Sequence, residues 1–304
     1  MTGEGERRSK SIRTRLDELA RKRGDDVQLV LTRYANERVL ARLASSSHAD
    51  RFVLKGAALF TAWTGEPHRA TRDLDLLGHG SSEVASFRGV FTEVLGSSVE
   101  PDGVEFEIEG LQVGPIREDQ EYGGTRVVVI ARIAKARIRV QIDIGFGDAV
   151  TPGPERLEFP ALLDGPGPVL WTYPRSTVVA EKLEALVQLG LANSRMKDFF
   201  DLVALAERFP FDGAELVTAV RATFERRGTE LPARTPVALT REFADDTTKR
   251  TQWVAFVRKY GIQDPRGLED MIGCTAAFAL EPLTAAADGR EWRKRWSAGG
   301  PWVD

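Results

Sequence analysis

The stretch that most restricts the fold is "KARIRVQIDIGFGD", residues 135–148. In it Ile138, Val140, Ile142 and Ile144 alternate with Arg137, Arg139, Gln141 and Asp143. Successive side chains of a strand leave opposite faces, so this pattern demands a strand with one buried apolar face and one polar face. "TRVVVIARIA", residues 125–134, reads as the adjacent strand. The chain must therefore build a sheet and cover one side of it. Helical patterns at 10–47 are available for that: "SIRTRLDELARKRG" stops at Gly24, and "VQLVLTRYANERVLARLASS" follows with Val27, Leu29, Leu31, Tyr34, Val39 and Leu43 at helical spacings.

Further along, "VTPGPERLEFPALLDGPGP" is rich in Pro and Gly and reads as a connector. From about residue 176 the pattern is helical almost to the end. The predicted architecture is α+β and bilobed, with a mixed β-sheet and flanking helices over 1–160 and a helical lobe over 161–304. A chain of 304 residues that is 42% hydrophobic can fill two such cores. The formal net charge of −3 excludes a globally basic nucleic-acid binder but not a local basic patch. Cys274 alone makes neither an internal disulfide nor a cysteine zinc site, and His48, His68 and His79 are too scattered for a zinc centre. The N-terminus carries no apolar signal region and no run approaches the roughly 18 apolar residues of a membrane helix, so a cytoplasmic protein is expected.

Chemistry concentrates in three places. In "FVLKGAALFTAWTGE", Phe52–Leu54 form a short apolar strand, Lys55-Gly56 a turn, and Ala57–Trp63 a helix stopped by Gly65. Backbone N–H groups at such a helix start can bind phosphate. In "HRATRDLDLLGHG", Asp73 and Asp75 leave the same face of a strand, about 7 Å apart at their Cα atoms, while Leu74 and Leu76 point into a core. Two like charges on one face are relieved by solvent or by a cation. Hard carboxylate oxygens suit Mg²⁺, which needs only one or two of them beside phosphate oxygens. From the spacing alone, a solvated acidic edge is the commoner reading. Asp143, on the polar face of the alternating strand, is the third feature: an adjacent strand would bring it beside Asp73 and Asp75.

The helical half carries its own polar groups. "PRSTVVAEKLEALVQLG" starts at Ser176 as a cap and stops at Gly190, with Lys182 near its apolar face. "RMKDFFDLVALAERF" puts Asp198 and Asp201 on one stripe with Leu202 and Leu205. Acids there need partners, and Lys182, Arg195 or Lys197 are candidates; a structural ion pair between helices is the alternative to a cleft role. After the Asp75 strand, "SSEVASFRGVFTEVLG" reads as a Ser-capped helix. The clusters "KRTQWVAFVRKYG" and "REWRKRW", with Arg132, Lys135, Arg137 and Arg139, combine basic and aromatic residues in a way that suits a phosphodiester backbone with stacked bases, or else core rings beside a solvated charged face.

The order glycine turn, D-x-D, lone strand acid resembles the nucleotidyltransferase superfamily with the DNA polymerase β-type palm. More narrowly, "FVLKGAALFTAW", "RATRDLDLLG", "IDIGFGD", "EKLEALVQLG" and "NSRMKDFFDL", spread over about residues 10–260, resemble the AbiEii/MenT family of toxin–antitoxin and abortive-infection nucleotidyltransferases. The resemblance implies a nucleotidyltransferase-type sheet lobe and a magnesium-bound nucleoside triphosphate between the lobes. Asp73 and Asp75 would hold the metal, and Lys55, Gly56, Arg69, Thr71 and Lys182 the nucleotide. Asp143 or Asp198 would orient or deprotonate the acceptor hydroxyl, with Asp201 less directly involved. It further implies transfer of a nucleotide to the 3′ end of tRNA, a halt in translation, a cognate antitoxin as partner, and silencing by phosphorylation at Thr71. One departure is Ala57, where many superfamily members have Ser after the glycine, so phosphate binding would lean on backbone N–H groups and Lys55. A monomer is expected. A transferase acting on a small-molecule or protein hydroxyl and a non-catalytic nucleotide- or RNA-binding module are the alternatives; a silent binder has no need of a metal clamp.

Overall fold

The alternating stretch folds as a hairpin in the computed structural model, which describes residues 3–116 and 123–304. β5 (Thr125–Ile133) and β6 (Ala136–Phe146) pair antiparallel from Thr125 opposite Ile144 to Ile133 opposite Ala136. The turn puts Ala134 at a φ of 51°, and its N–H donates to Ser9 Oγ. Val127, Val129, Ala131, Ile133, Ile138, Val140, Ile142 and Ile144 are all buried. They pack under α1 (Gly3–Arg23), α2 (Val27–Ser45) and α4 (Ser86–Gly96). Each such Val or Ile contributes roughly 1.5–3 kcal/mol by leaving water, and this is what ties the helices to the sheet.

Two compact units divide the chain. The first is Met1–Gly147 with Glu155–Thr172. Its mixed sheet runs β3 (Val104–Phe106), β5, β6, β2 (Asp73–Gly78), β1 (Phe52–Lys55), β8 (Val169–Thr172), β7 (Glu155–Glu158), with β4 (Gln112–Pro115) also on β5. Among these pairs β2–β6 and β1–β8 are parallel and the rest antiparallel. The short α3 (Ala58–Thr64) follows β1 and closes on Gly65, whose φ of 77° is one glycine adopts readily. The Pro/Gly-rich stretch read as a connector contains β7 and the loop that turns it back onto β8 just beyond, where Leu157 pairs with Leu170; the flanking prolines mask the pattern.

The second unit is Asp148–Pro154 with Tyr173–Asp304. It holds α5 (Arg175–Leu189), α6 (Met196–Arg208), α7 (Gly213–Arg227), α8 (Arg241–Asp245), α9 (Thr247–Tyr260) and α10 (Leu268–Ala287). It is not helical to the end: β9 (Phe211–Asp212), β10 (Arg295–Trp296) and β11 (Trp302–Val303) form a small antiparallel sheet. Strands of two residues are too short to show a period. The rings of "REWRKRW" are core. Trp292 and Trp296 are buried, Trp302 lies 4.5 Å and 5.3 Å from them by ring centroids, and Phe278 packs at 5.0 Å from Trp296. Trp253 and Phe256 of α9 are buried as well, so these rings are not a stacking platform for bases.

Two caps differ from expectation. α4 begins at Ser86, after Ala85, and Ser86 Oγ donates to Glu83 O; the upstream Ser81 Oγ accepts from Glu83 N in a local turn. α5 begins at Arg175 after Pro174, and Ser176 lies inside the first turn, where its hydroxyl reaches Thr151 O and Glu215 Oε1. Serine hydroxyls serve local turns as readily as helix starts. Among the described residues, no helix is long and apolar enough to cross a membrane.

Candidate functional site

Register delivers the acids. Parallel pairing of β2 with β6 sets Asp75 opposite Asp143 and Asp73 opposite Gln141. Neighbouring strands lie about 4.8 Å apart and partners across a pair share a face. Asp73, Asp75, Gln141 and Asp143 therefore leave the sheet on one side, as their sequence alternation requires, while Leu74 and Leu76 are 1% exposed on the other. On the opposite flank of β2, Lys55 of β1 pairs with Asp75, so the lysine joins the same face.

Gly56 follows at once, with a φ of 73°. A Cβ placed there would collide with Asp75 Oδ2, so the residue after β1 must be glycine both for its backbone and for the carboxylate beside it. Helix α3 starts two residues on, with Ala57 at the cap position making no side-chain cap hydrogen bond. Arg69 and Thr71 lie in the loop from α3 to β2, both half-buried, and Thr71 Oγ1 is 3.4 Å from Asp73 O.

Charge on this face is unevenly balanced. Arg126 of β5 lies opposite Asp143 and grips it through two hydrogen bonds, Nε to Oδ1 and Nη2 to Oδ2, each 2.8 Å. Gln141 Nε2 donates to both Asp143 oxygens at 3.3 Å, and Arg139 Nη1 donates to Gln141 Oε1 at 2.9 Å. Desolvation, and next the charge of Asp143, push the Asp73 carboxyl above the usual carboxylate range, against the opposing pull of Arg126, Arg139 and Arg72. Arg126 is the residue that sequence reasoning missed. Its signal was available: a turn at 134–135 makes residues 126 and 143 equidistant from it.

The donor set fits a hard divalent cation. Asp73 and Asp75 offer carboxylate oxygens on one face, and the Asp73 charge is disfavoured there in a way a cation would relieve. Among the described residues, no three His, Cys, Asp or Glu side chains converge as a ready metal cluster. Mg²⁺ asks for less than that: one or two carboxylates, with phosphate oxygens and water completing its shell.

In the second unit, α5 and α6 bring Lys182, Asp198 and Asp201 together. Lys182 Nζ donates to Asp198 Oδ1 at 2.8 Å and to Asp201 Oδ2 at 2.7 Å. Arg195 Nε forms an ion pair with Asp198 Oδ2 at 2.8 Å. Asp198 is 0% and Asp201 1% exposed. Of the candidate partners for the buried acids, Lys182 and Arg195 both meet Asp198.

A model of the nucleotidyl transferase AbiEii toxin family, type IV toxin–antitoxin system, matches residues 38–296. Among curated proteins none matches the chain. Of solved structures, JHP933 from Helicobacter pylori is similar with a TM-score of 0.50 and 15% identity, over 87% of this chain and 95% of that one. A second H. pylori protein, provisionally described as a nucleotidyltransferase, is similar with a TM-score of 0.49 and 15% identity, over 87% and 98% of the two chains. At such identity the JHP933 likeness speaks for the fold alone. The family match spans β1, Gly56, the D-x-D strand, Asp143, Lys182 and Asp198, and on it the chain belongs to the AbiEii nucleotidyltransferase toxins of type IV toxin–antitoxin systems.

Proposed function

We propose that this chain transfers a nucleoside monophosphate from a nucleoside triphosphate to an RNA hydroxyl, that of the tRNA 3′ end, and so blocks translation, with a cognate antitoxin as its regulatory partner. The observation that carries the reading is the placement of Asp73, Asp75 and Asp143 on one sheet face beside Lys55 and Gly56. In this reading Asp73 and Asp75 hold Mg²⁺. Bound there, the ion would offset the charge of the triphosphate and of departing pyrophosphate. Lys55 and the backbone at Gly56, with Arg69, bind phosphate oxygens; the absence of a hydroxyl at Ala57 leaves this work to backbone N–H groups and cations. Within the second unit, Asp198 and Asp201 fix where the Lys182 ammonium sits. Asp198, wholly buried and paired with Lys182 and Arg195, acts as a positioning group for that lysine. Positioning and charge neutralisation supply most of the acceleration in such transfers. A phosphate on Thr71, carrying up to two negative charges two residues before Asp73, would silence the site by repelling the triphosphate.

The test is incubation of purified protein with total tRNA and each labelled triphosphate, with and without Mg²⁺, beside Asp73→Ala. Label should enter tRNA with Mg²⁺ and wild type only. Labelling that persists in folded Asp73→Ala refutes the metal assignment, and labelling of protein or small molecules in place of tRNA refutes the acceptor.

A further inference from the structure

Asp143 stands on the face that carries Asp73 and Asp75, yet it is occupied. Both its oxygens are held by the guanidinium fork of Arg126, and Gln141, itself held by Arg139, donates to the same two oxygens. A planar fork matched to a carboxylate is the strongest geometry available to this pair. Arg126 reaches it from the neighbouring strand, and at 39% side-chain exposure it is also able to leave. The face thus has three acids from two adjacent strands, and one of them, Asp143, is withheld by an arginine.

We propose that Arg126 is a positioning residue that reserves Asp143, keeping it out of the metal shell until the arginine is drawn away by an anionic phosphate. The inference rests on the reading of Asp73 and Asp75 as metal ligands. In the resting protein the cation meets two carboxylates and binds weakly. A triphosphate supplies oxygens that compete with Asp143 for the Arg126 fork. When Arg126 turns to the phosphates, Asp143 turns to the cation, and metal and nucleotide each strengthen the binding of the other. Such reciprocity is required by linkage between two ligands that bias one two-state element. The exchange has a chemical use: a third carboxylate arrives at the cation only when a nucleotide is present to be used.

The experiment is metal titration of the full chain, with Mn²⁺ as the probe, in wild type, Arg126→Ala, Arg126→Gln and Arg126→Ala/Asp143→Asn, without nucleotide. Removal of an arginine that merely braces the sheet leaves metal affinity unchanged or weakens it. The proposal expects the reverse: Mn²⁺ binding tightened about tenfold or more in Arg126→Ala, and returned to the wild-type value in the double variant. A non-hydrolysable triphosphate should tighten Mn²⁺ binding to wild type and do so much less in Arg126→Ala. Arg126→Gln serves where Arg126→Ala fails to fold, folding being read from circular dichroism. Unchanged or weaker Mn²⁺ binding in a folded Arg126 variant overturns the proposal, as does tightening that survives Asp143→Asn. Absence of saturable Mn²⁺ binding to wild type, with or without the triphosphate, is a different failure and removes the metal reading of Asp73 and Asp75 itself.

Discussion

Replacing Lys182 by methionine tests how the second unit is held. The ammonium sits 2.8 Å from Asp198 Oδ1 and 2.7 Å from Asp201 Oδ2, and both acids are almost without solvent contact. At an effective dielectric constant near 20, each contact is worth roughly 6 kcal/mol of Coulomb energy, most of it offset by desolvation of the three charges. Methionine keeps the stem packed but removes the charge that Asp198 and Asp201 share, while Arg195 still faces Asp198. Breaking a buried ion pair by removing one partner usually costs about 3–5 kcal/mol. That predicts a fall in Tm of roughly 6–20 °C at pH 7 for a unit of this size. Calorimetric melts of wild type and Lys182→Met check this. A variant melting within about 2 °C of wild type refutes the reasoning.

The remaining expectations concern the acidic face and the core. The raised pKa of Asp73 means that its ionisation costs stability as pH rises from about 4 through its folded value, and the cost disappears below. Asp73→Asn should accordingly melt slightly higher than wild type at pH 7 without metal, by less than about 1 kcal/mol because the group is exposed, and Mg²⁺ should raise the wild-type Tm more at pH 7 than at pH 4.5. Gly56→Ala combines a φ of 73° with a collision against Asp75, so it should lose roughly 1–3 kcal/mol of stability and most nucleotide transfer; a variant of wild-type stability and rate would count against the close approach. Trp296→Ala should cost roughly 3–5 kcal/mol in urea denaturation, because the ring is buried against Phe278 and Trp302 and its Nε1 donates to Ala206 O; an unchanged midpoint with weakened RNA binding would restore the base-stacking role rejected above.

The core strands were legible because each announces itself within a few residues. The period-two run 138–144, the apolar Phe52–Leu54 and the leucines around Asp73 and Asp75 depend only on which side chains a strand sends to each face. Helices α5, α6 and α9 were read the same way from their spacing. The β7–β8 hairpin and the strands β9 to β11 were not, since two to four residues beside prolines or tryptophans have no period to recognise, and their pairing is settled by partners distant in the chain.

For the site, sequence alone determined the chemical stock and the local order: a glycine turn, two acids at i and i+2, a third on a polar strand face. Pattern within a segment decides which face a residue occupies, because alternation is a property of the backbone. Only the tertiary structure decided that β6 lies parallel beside β2 in the register that puts Asp143 against Asp75. It also decided that Arg126 takes that acid and that Lys182 is shared between Asp198 and Asp201. Those pairings join residues 16 to 68 positions apart, and which charge finds which is set by strand order and helix packing.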